Sequence, residues 1–179
     1  MTTVALVVHP VRVEATAIAV DTIAWLESLG HGVVLPADDA ARVGRPELAR
    51  ADDGFGRGVD VAVSLGGDGT MLRTVALVAA DDVPVLGVNL GQLGYLTDVE
   101  PDGARAALEA VLAGTHLIEE RMLLEVVIAA PSGRVSETSV LAFNEAVLEK
   151  TASGHTVRLD VELDGAAFTP YAADGLIAV

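Results

Sequence analysis

Val61-Ala62-Val63-Ser64-Leu65-Gly66-Gly67-Asp68-Gly69-Thr70-Met71-Leu72-Arg73-Thr74-Val75-Ala76-Leu77-Val78-Ala79-Ala80 is the stretch whose reading decides the fold. Val61, Val63 and Leu65 recur at every second position, as on one face of a strand, whereas Thr70 to Ala80 is a mostly apolar run without Gly or Pro, as in a helix. Gly66-Gly67-Asp68-Gly69-Thr70 is therefore a strand-to-helix turn. Its three glycines are expected to take positive φ and to let a ligand approach the main chain, with Thr70 capping the helix and directing its unpaired N–H groups outward. Such a turn suits a phosphate. Asp68 is the anomaly, a carboxylate placed where it should repel that phosphate. It reads either as the solvated acid of a tight turn or as a group with a chemical task.

On the N-terminal side, Val4 to Val8 is a continuous apolar run suited to a strand covered on both faces, ended by His9-Pro10. Glu14 to Leu29 carries Ala15, Ala19, Ile23 and Leu26 at helical spacing, with Gly30 placed to terminate it. His31 to Leu35 reads as a second strand stopped by Pro36. Ala37 to Gly58, rich in Asp and Arg, lacks an apolar stripe apart from a short helix near Pro46, and is expected to be a surface excursion. Val59 to Leu65 is the third strand and Val83 to Val88 the fourth. Strands alternating with helices imply a parallel, Rossmann-like sheet whose ligands gather at the carboxyl ends of its strands.

The fourth strand runs into Asn89-Leu90-Gly91-Gln92-Leu93-Gly94-Tyr95-Leu96-Thr97, a second glycine-bearing loop at the same sheet edge as the first. Pro101 then opens a helix, Asp102 to Ala113, ended by Gly114. After Thr115 the period changes. Met122 to Ile128, Val135 to Leu148, Val157 to Leu163, Ala166 to Tyr171 and Leu176 to Val179 read as consecutive strands, with turns at Pro131-Ser132-Gly133, Ser153-Gly154 and Asp164-Gly165. The expected organisation is an α/β nucleotide-binding domain over 1–117 and an incomplete all-β domain over 118–179. Asn144-Glu145 breaks the pattern Val140 to Leu148, so the strand must bend or end there if both side chains reach one ligand.

Composition narrows the function. With 179 residues, 51% of them hydrophobic, the chain can bury a sizeable core, and no apolar run approaches the ~18 residues of a membrane span. The N-terminal residues lack the basic start of a signal peptide, so a cytoplasmic location is expected. A formal charge of −15 with only eleven Lys and Arg argues against a nucleic-acid or membrane surface. The chain has no cysteine, and His9, His31, His116 and His155 are too scattered for a local metal pair, so no metal-ligating residue is read and the open alternative is a hard ion bound through oxygen. Phosphate held in so acidic a chain requires main-chain N–H groups, a divalent cation and one or two Arg.

Gly66-Gly67-Asp68-Gly69-Thr70 resembles the signature turn of a kinase superfamily that includes the NAD kinases, the diacylglycerol and sphingosine lipid kinases and, more distantly, the phosphofructokinases. Gly87 to Thr97, Phe143-Asn144-Glu145 and Asp174-Gly175-Leu176-Ile177 are similar, in that order, to the NAD kinase pattern. The resemblance implies phosphoryl transfer from ATP, or in some members polyphosphate, to the 2′-hydroxyl of the adenosine ribose of NAD, giving NADP. It assigns Asp68 as the catalytic group that orients the hydroxyl and accepts its proton. Gly66, Gly67, Gly69 and Thr70 would cradle phosphates, and Mg²⁺ or another divalent cation would neutralise developing charge. Asp68, Gly69, Arg73, Asn144, Glu145, His155, Ala172 and Asp174 would contact NAD. From the residues alone, Arg73 serves equally as a solvated helix face, His155 as a loop histidine and Asp174 as a turn cap.

The resemblance also implies a homo-oligomer and a continuation past Val179, so a truncated NAD kinase is expected. As it stands, such a chain should self-associate and lack kinase activity, its all-β domain ending on the apolar Leu176-Ile177-Ala178-Val179. The rival readings are a lipid kinase of the same superfamily and a non-catalytic nucleotide-binding module.

Overall fold

In the computed structural model, the described residues are 1–91, 94–97, 99–128, 138–151, 154 and 156–179. His155, the turn at Pro131-Ser132-Gly133, the start of the strand expected from Val135, Ser153 and parts of the second glycine loop lie outside them. The chain divides into two compact units, Met1–Glu120 and Arg121–Val179.

The first unit holds a five-stranded parallel sheet made of β1 (Thr3–Val8), β2 (Gly32–Pro36), β3 (Ala49–Arg50), β4 (Val61–Gly66) and β5 (Val85–Asn89). Its order is β3-β2-β1-β4-β5. Each strand pairs in parallel with its neighbour, as in Val4 with Val61 and Val63 with Leu86. Among the described residues four α-helices accompany it: α1 (Val13–Ser28), α2 (Ala37–Arg42), α3 (Asp68–Val78) and α4 (Ala104–Leu112).

Alternation along β1 divides the core between the two faces of the sheet. Val4, Leu6 and Val8 pack with Ala15, Ala19, Ile23 and Leu26 of α1 and Leu108 of α4, while Ala5 and Val7 pack with Phe55 and with Val78 of α3. Both faces are covered, which is why β1 reads as an unbroken apolar run. Gly30 and Gly114 end α1 and the α4 segment at φ +76 and +68, positions where only glycine is unstrained.

The expected surface excursion is a correction. Ala37–Arg42 is helical, Ala49–Arg50 pairs with the end of β2, and Asp39, Ala40 and Phe55 are fully buried. These residues carry no stripe because the segment is too short and broken to show a period, and Ala40 and Phe55 join different core clusters. Pro36 is the last residue of β2, pairing with Arg50 beyond the final β1–β2 rung at Ala5 and Val34.

The second unit contains only strands among its described elements. β6 (Leu124–Ile128) pairs with β7 (Thr138–Ala142), β8 (Ala146–Glu149) with β11 (Gly175–Ala178), and β9 (Val157–Leu163) with β10 (Ala166–Ala173), each antiparallel. Asp164 and Gly165 join β9 to β10 with φ of +52 and +76, the backbone of a two-residue hairpin turn. The expected strand Val135 to Leu148 is two strands, because Phe143, Asn144 and Glu145 leave the ladder and β7 and β8 take different partners.

Candidate active site

The order of the parallel sheet decides where a ligand can sit. From β1 the chain builds outward to β3, then returns to place β4 on the other side of β1, so the connections after β1 and β4 part in opposite directions. A cleft of about 310 Å³ opens there, lined by His9, Pro10 and Arg12 after β1 and by Gly67, Gly69, Thr70 and Arg73 after β4. Sequence reading treated His9-Pro10 only as a strand stop and overlooked Arg12. Their place at the carboxyl end of an adjoining parallel strand was the available clue.

The turn achieves its shape differently from expectation. None of Gly66, Gly67 and Gly69 adopts positive φ, and Gly67 is extended at φ −105. Gly66 is required by close packing, because a Cβ there would stand 2.6 Å from Thr70 Cβ, whereas one on Gly69 would meet nothing within 4 Å. Thr70 is not the cap. The helix begins at Asp68 with Gly67 as its uncapped N-cap, and Thr70, already inside the first turn and only 5% exposed, packs its side chain against Gly66. The Gly67 carbonyl accepts the N–H groups of Thr70 (2.9 Å) and Met71 (3.0 Å). Helix geometry leaves the N–H groups of Asp68 and Gly69 without intrahelical acceptors, available to an anion.

Asp68 turns to the second glycine loop and is absent from the cleft lining. Its Oδ1 accepts the Leu96 N–H at 3.2 Å and its Oδ2 the Tyr95 N–H at 3.4 Å. The two loops are tied elsewhere too. Leu90 N–H donates to the Gly66 carbonyl at 2.8 Å, and Arg12 Nη1 donates to the Leu90 carbonyl. Thr97, 3% exposed, lies over Gly87, where a Cβ would stand 2.8 Å from Thr97 Cγ2. Gly87 and Gly94 therefore serve close packing around Asn89 and Thr97, and the Asp68 carboxylate faces main-chain donors.

Arg73 is a cleft residue anchored from behind. Its Nη1 reaches both oxygens of Asp39, at 3.1 and 3.0 Å, and the Val8 carbonyl at 3.4 Å. Asp39 is the partner of this cleft residue that sequence reading missed. It is fully buried on α2 and accepts the Val8 N–H at the end of β1, and no local pattern marks it.

In the second unit, Asn144 and Glu145 are exposed at the corner between β7 and β8, and Ala172 is exposed on β10 opposite Arg158. Asp174 lies between β10 and β11, its Oδ1 accepting from Lys150 Nζ at 2.8 Å. The β8–β11 register pairs Ala146 with Ala178 and Glu149 with Gly175. Asn144-Glu145 and Asp174 consequently flank opposite ends of that ladder. Gly66, Gly67, Asp68, Gly69, Thr70 and Arg73 are brought together in the first unit; His155 lies outside the described residues.

The family described as "ATP-NAD kinase N-terminal domain" matches residues 4–116. A protein named NAD kinase from Symbiobacterium thermophilum is 39% identical over 97% of this chain, and one from Moorella thermoacetica is 40% identical over 93%. This chain spans 60% and 51% of their respective lengths. Among solved structures, yeast NADH kinase complexed with NADH superposes with a TM-score of 0.86 at 24% identity, over 99% of this chain and 57% of that one. An NAD kinase from Archaeoglobus fulgidus in complex with ATP superposes with a TM-score of 0.62 at 23% identity, over 99% and 59%. At such identities these two likenesses speak for the fold.

Proposed function

The chain belongs to the ATP-NAD kinase family, and from that premise we propose that the protein transfers the γ-phosphoryl group of ATP, or a phosphoryl group of polyphosphate, to the 2′-hydroxyl of the adenosine ribose of NAD. The observation that carries this reading is the carboxylate of Asp68 at the start of α3, held by the N–H groups of Tyr95 and Leu96 beside a glycine turn that walls a cleft. The relatives' names, and the ATP and NADH bound by the two structural neighbours, support it.

In this reading the donor phosphates lie at the glycine turn, and Asp68, Gly69, Arg73, Asn144, Glu145, His155, Ala172 and Asp174 contact NAD. Each Asp68 oxygen spends one lone pair on a loop N–H and keeps another for a hydroxyl. As the ribose oxygen bonds to phosphorus, its proton passes to Asp68 and the shortened donor leaves. Gly67, Asp68 and Gly69 offer main-chain N–H groups to the phosphates, and Arg12 and Arg73 supply the cationic wall. Among the described residues no three His, Cys, Asp or Glu side chains converge as a metal site. A divalent cation would arrive on the nucleotide's own phosphates. The same reading takes the enzyme as a cytoplasmic homo-oligomer; among the described residues no helix is long and apolar enough to cross a membrane.

The test is Asp68→Asn in this chain extended with the C-terminal part of the Symbiobacterium relative. Turnover should fall by roughly 10²–10⁴-fold with an unchanged circular dichroism spectrum. Near wild-type turnover removes the role, and a loss confined to the requirement for NAD demotes Asp68 to positioning.

A further inference from the structure

We propose that Asp39 is a positioning residue for the phosphate cleft, clamping Arg73 by one nitrogen so that the remainder of its guanidinium stands ready for an anion; this rests on the reading of the cleft as a phosphate site. Asp39 is 0% exposed, and its carboxylate is met only by donors. Oδ2 accepts the Val8 N–H at 2.8 Å, Oδ1 accepts Arg42 Nη1 at 2.7 Å, and both oxygens face Arg73 Nη1 at 3.0 and 3.1 Å. An acceptor-only group is the one chemistry that satisfies all three. The carboxylate thereby joins the end of β1, α2 and the first turns of α3 at the strand whose exit forms one wall of the cleft.

Two cations balance this one buried anion, so the group is net positive beside the cleft although the whole chain carries −15. Arg73 lines the cleft, and among the described residues its Nε and Nη2 have no protein partner. A planar fork held by one nitrogen keeps the others in a fixed plane, which a flexible ammonium cannot do. Arg42 binds the same carboxylate but does not line the cleft. The three residues thus divide into an anchor, a balancing charge and a presenting cation.

The role is tested by calorimetric titration of this chain with tripolyphosphate at low ionic strength. Asp39→Asn places an amide NH₂ among three donors, releases the Arg side chain and should weaken tripolyphosphate binding about tenfold. In an Arg73→Gln background the same change should alter binding by less than about twofold, because the group it acts through is gone. Arg73→Lys leaves the buried carboxylate intact but spends its compact charge on Asp39, and should lose about as much affinity as Arg73→Gln. Arg42→Gln should change binding by less than about twofold. The proposal is overturned if Asp39→Asn weakens binding equally with and without Arg73, or leaves it unchanged or tighter. It is also overturned if Arg73→Lys binds like wild type, an outcome readable even where Asp39→Asn fails to fold. Wild-type chain that binds no tripolyphosphate removes the phosphate reading and the positioning role together, whereas wild-type binding with the wrong Asp39 coupling removes the latter alone.

Discussion

The two units differ in what holds them. Residues buried from solvent, from Val4 to Leu108, all belong to Met1–Glu120, while among the described residues of Arg121–Val179 none is buried. A sheet packed by helices on both faces removes its side chains from water and constrains each one. A two-stranded ladder leaves Val147, Leu148, Phe168 and Ile177 more than half exposed. The lesson concerns where sequence change is felt. In the first unit a residue is held by many distant neighbours, and in the second mostly by its partner strand.

The largest expected contrast is between single truncations in the two units. Phe55→Ala should destabilise the first unit by about 3–5 kcal/mol, whereas Ile177→Ala should change stability by less than about 1 kcal/mol. Hydrogen exchange resolved by segment reads both, and an Ile177 effect matching that of Phe55 would break the comparison.

A smaller effect separates two glycines of one turn. Gly66→Ala must displace the buried Thr70, at about 1–3 kcal/mol by denaturant unfolding. Gly69→Ala meets open space and should leave stability within about 0.5 kcal/mol while weakening tripolyphosphate binding, since a methyl group would cover the approach to the main chain. Equal stability effects would show that both glycines answer the same steric demand.

The smallest effect is electrostatic and lies on the surface of the first unit. Arg45 hydrogen-bonds Glu27 at 2.6 and 3.1 Å and also Glu47, and these bonds hold both carboxyls below their ordinary value of 4.5. Lowered folded-state values mean that the contribution is present above the ordinary carboxyl range and fades as pH falls through the lowered ones. The difference in urea midpoint between wild type and Arg45→Gln should therefore shrink from about pH 6 to about pH 3, and salt should reduce it at either pH. A difference that grows on acidification contradicts this pairing.

Strand, turn and helix around Gly66-Gly67-Asp68-Gly69-Thr70 were legible because apolar period and glycine content are local quantities. So were the βα alternation, its change to consecutive strands, the Asp164-Gly165 hairpin and the break at Asn144-Glu145. The positive φ expected of the turn's three glycines is adopted at none of them; Gly66 is required instead by the Thr70 side chain, which lies in the first turn of a helix whose start had been placed too late.

What the sequence determined by itself is the strand, turn and helix around Gly66 to Thr70, the βα alternation and the carboxylate at the turn, through short-range preferences that act wherever the segment sits. Tertiary structure alone decided that β4 returns beside β1, which opens the cleft to His9 and Arg12. It also decided that Asp68 faces Tyr95 and Leu96, and that Asp39, in a segment resembling solvent-exposed loop, is buried against Val8 and Arg73. Those partners lie 27 to 34 residues apart in the chain. Burial and ion pairing at such separations depend on which surfaces the packed sheet brings together, and no periodicity within a segment encodes that.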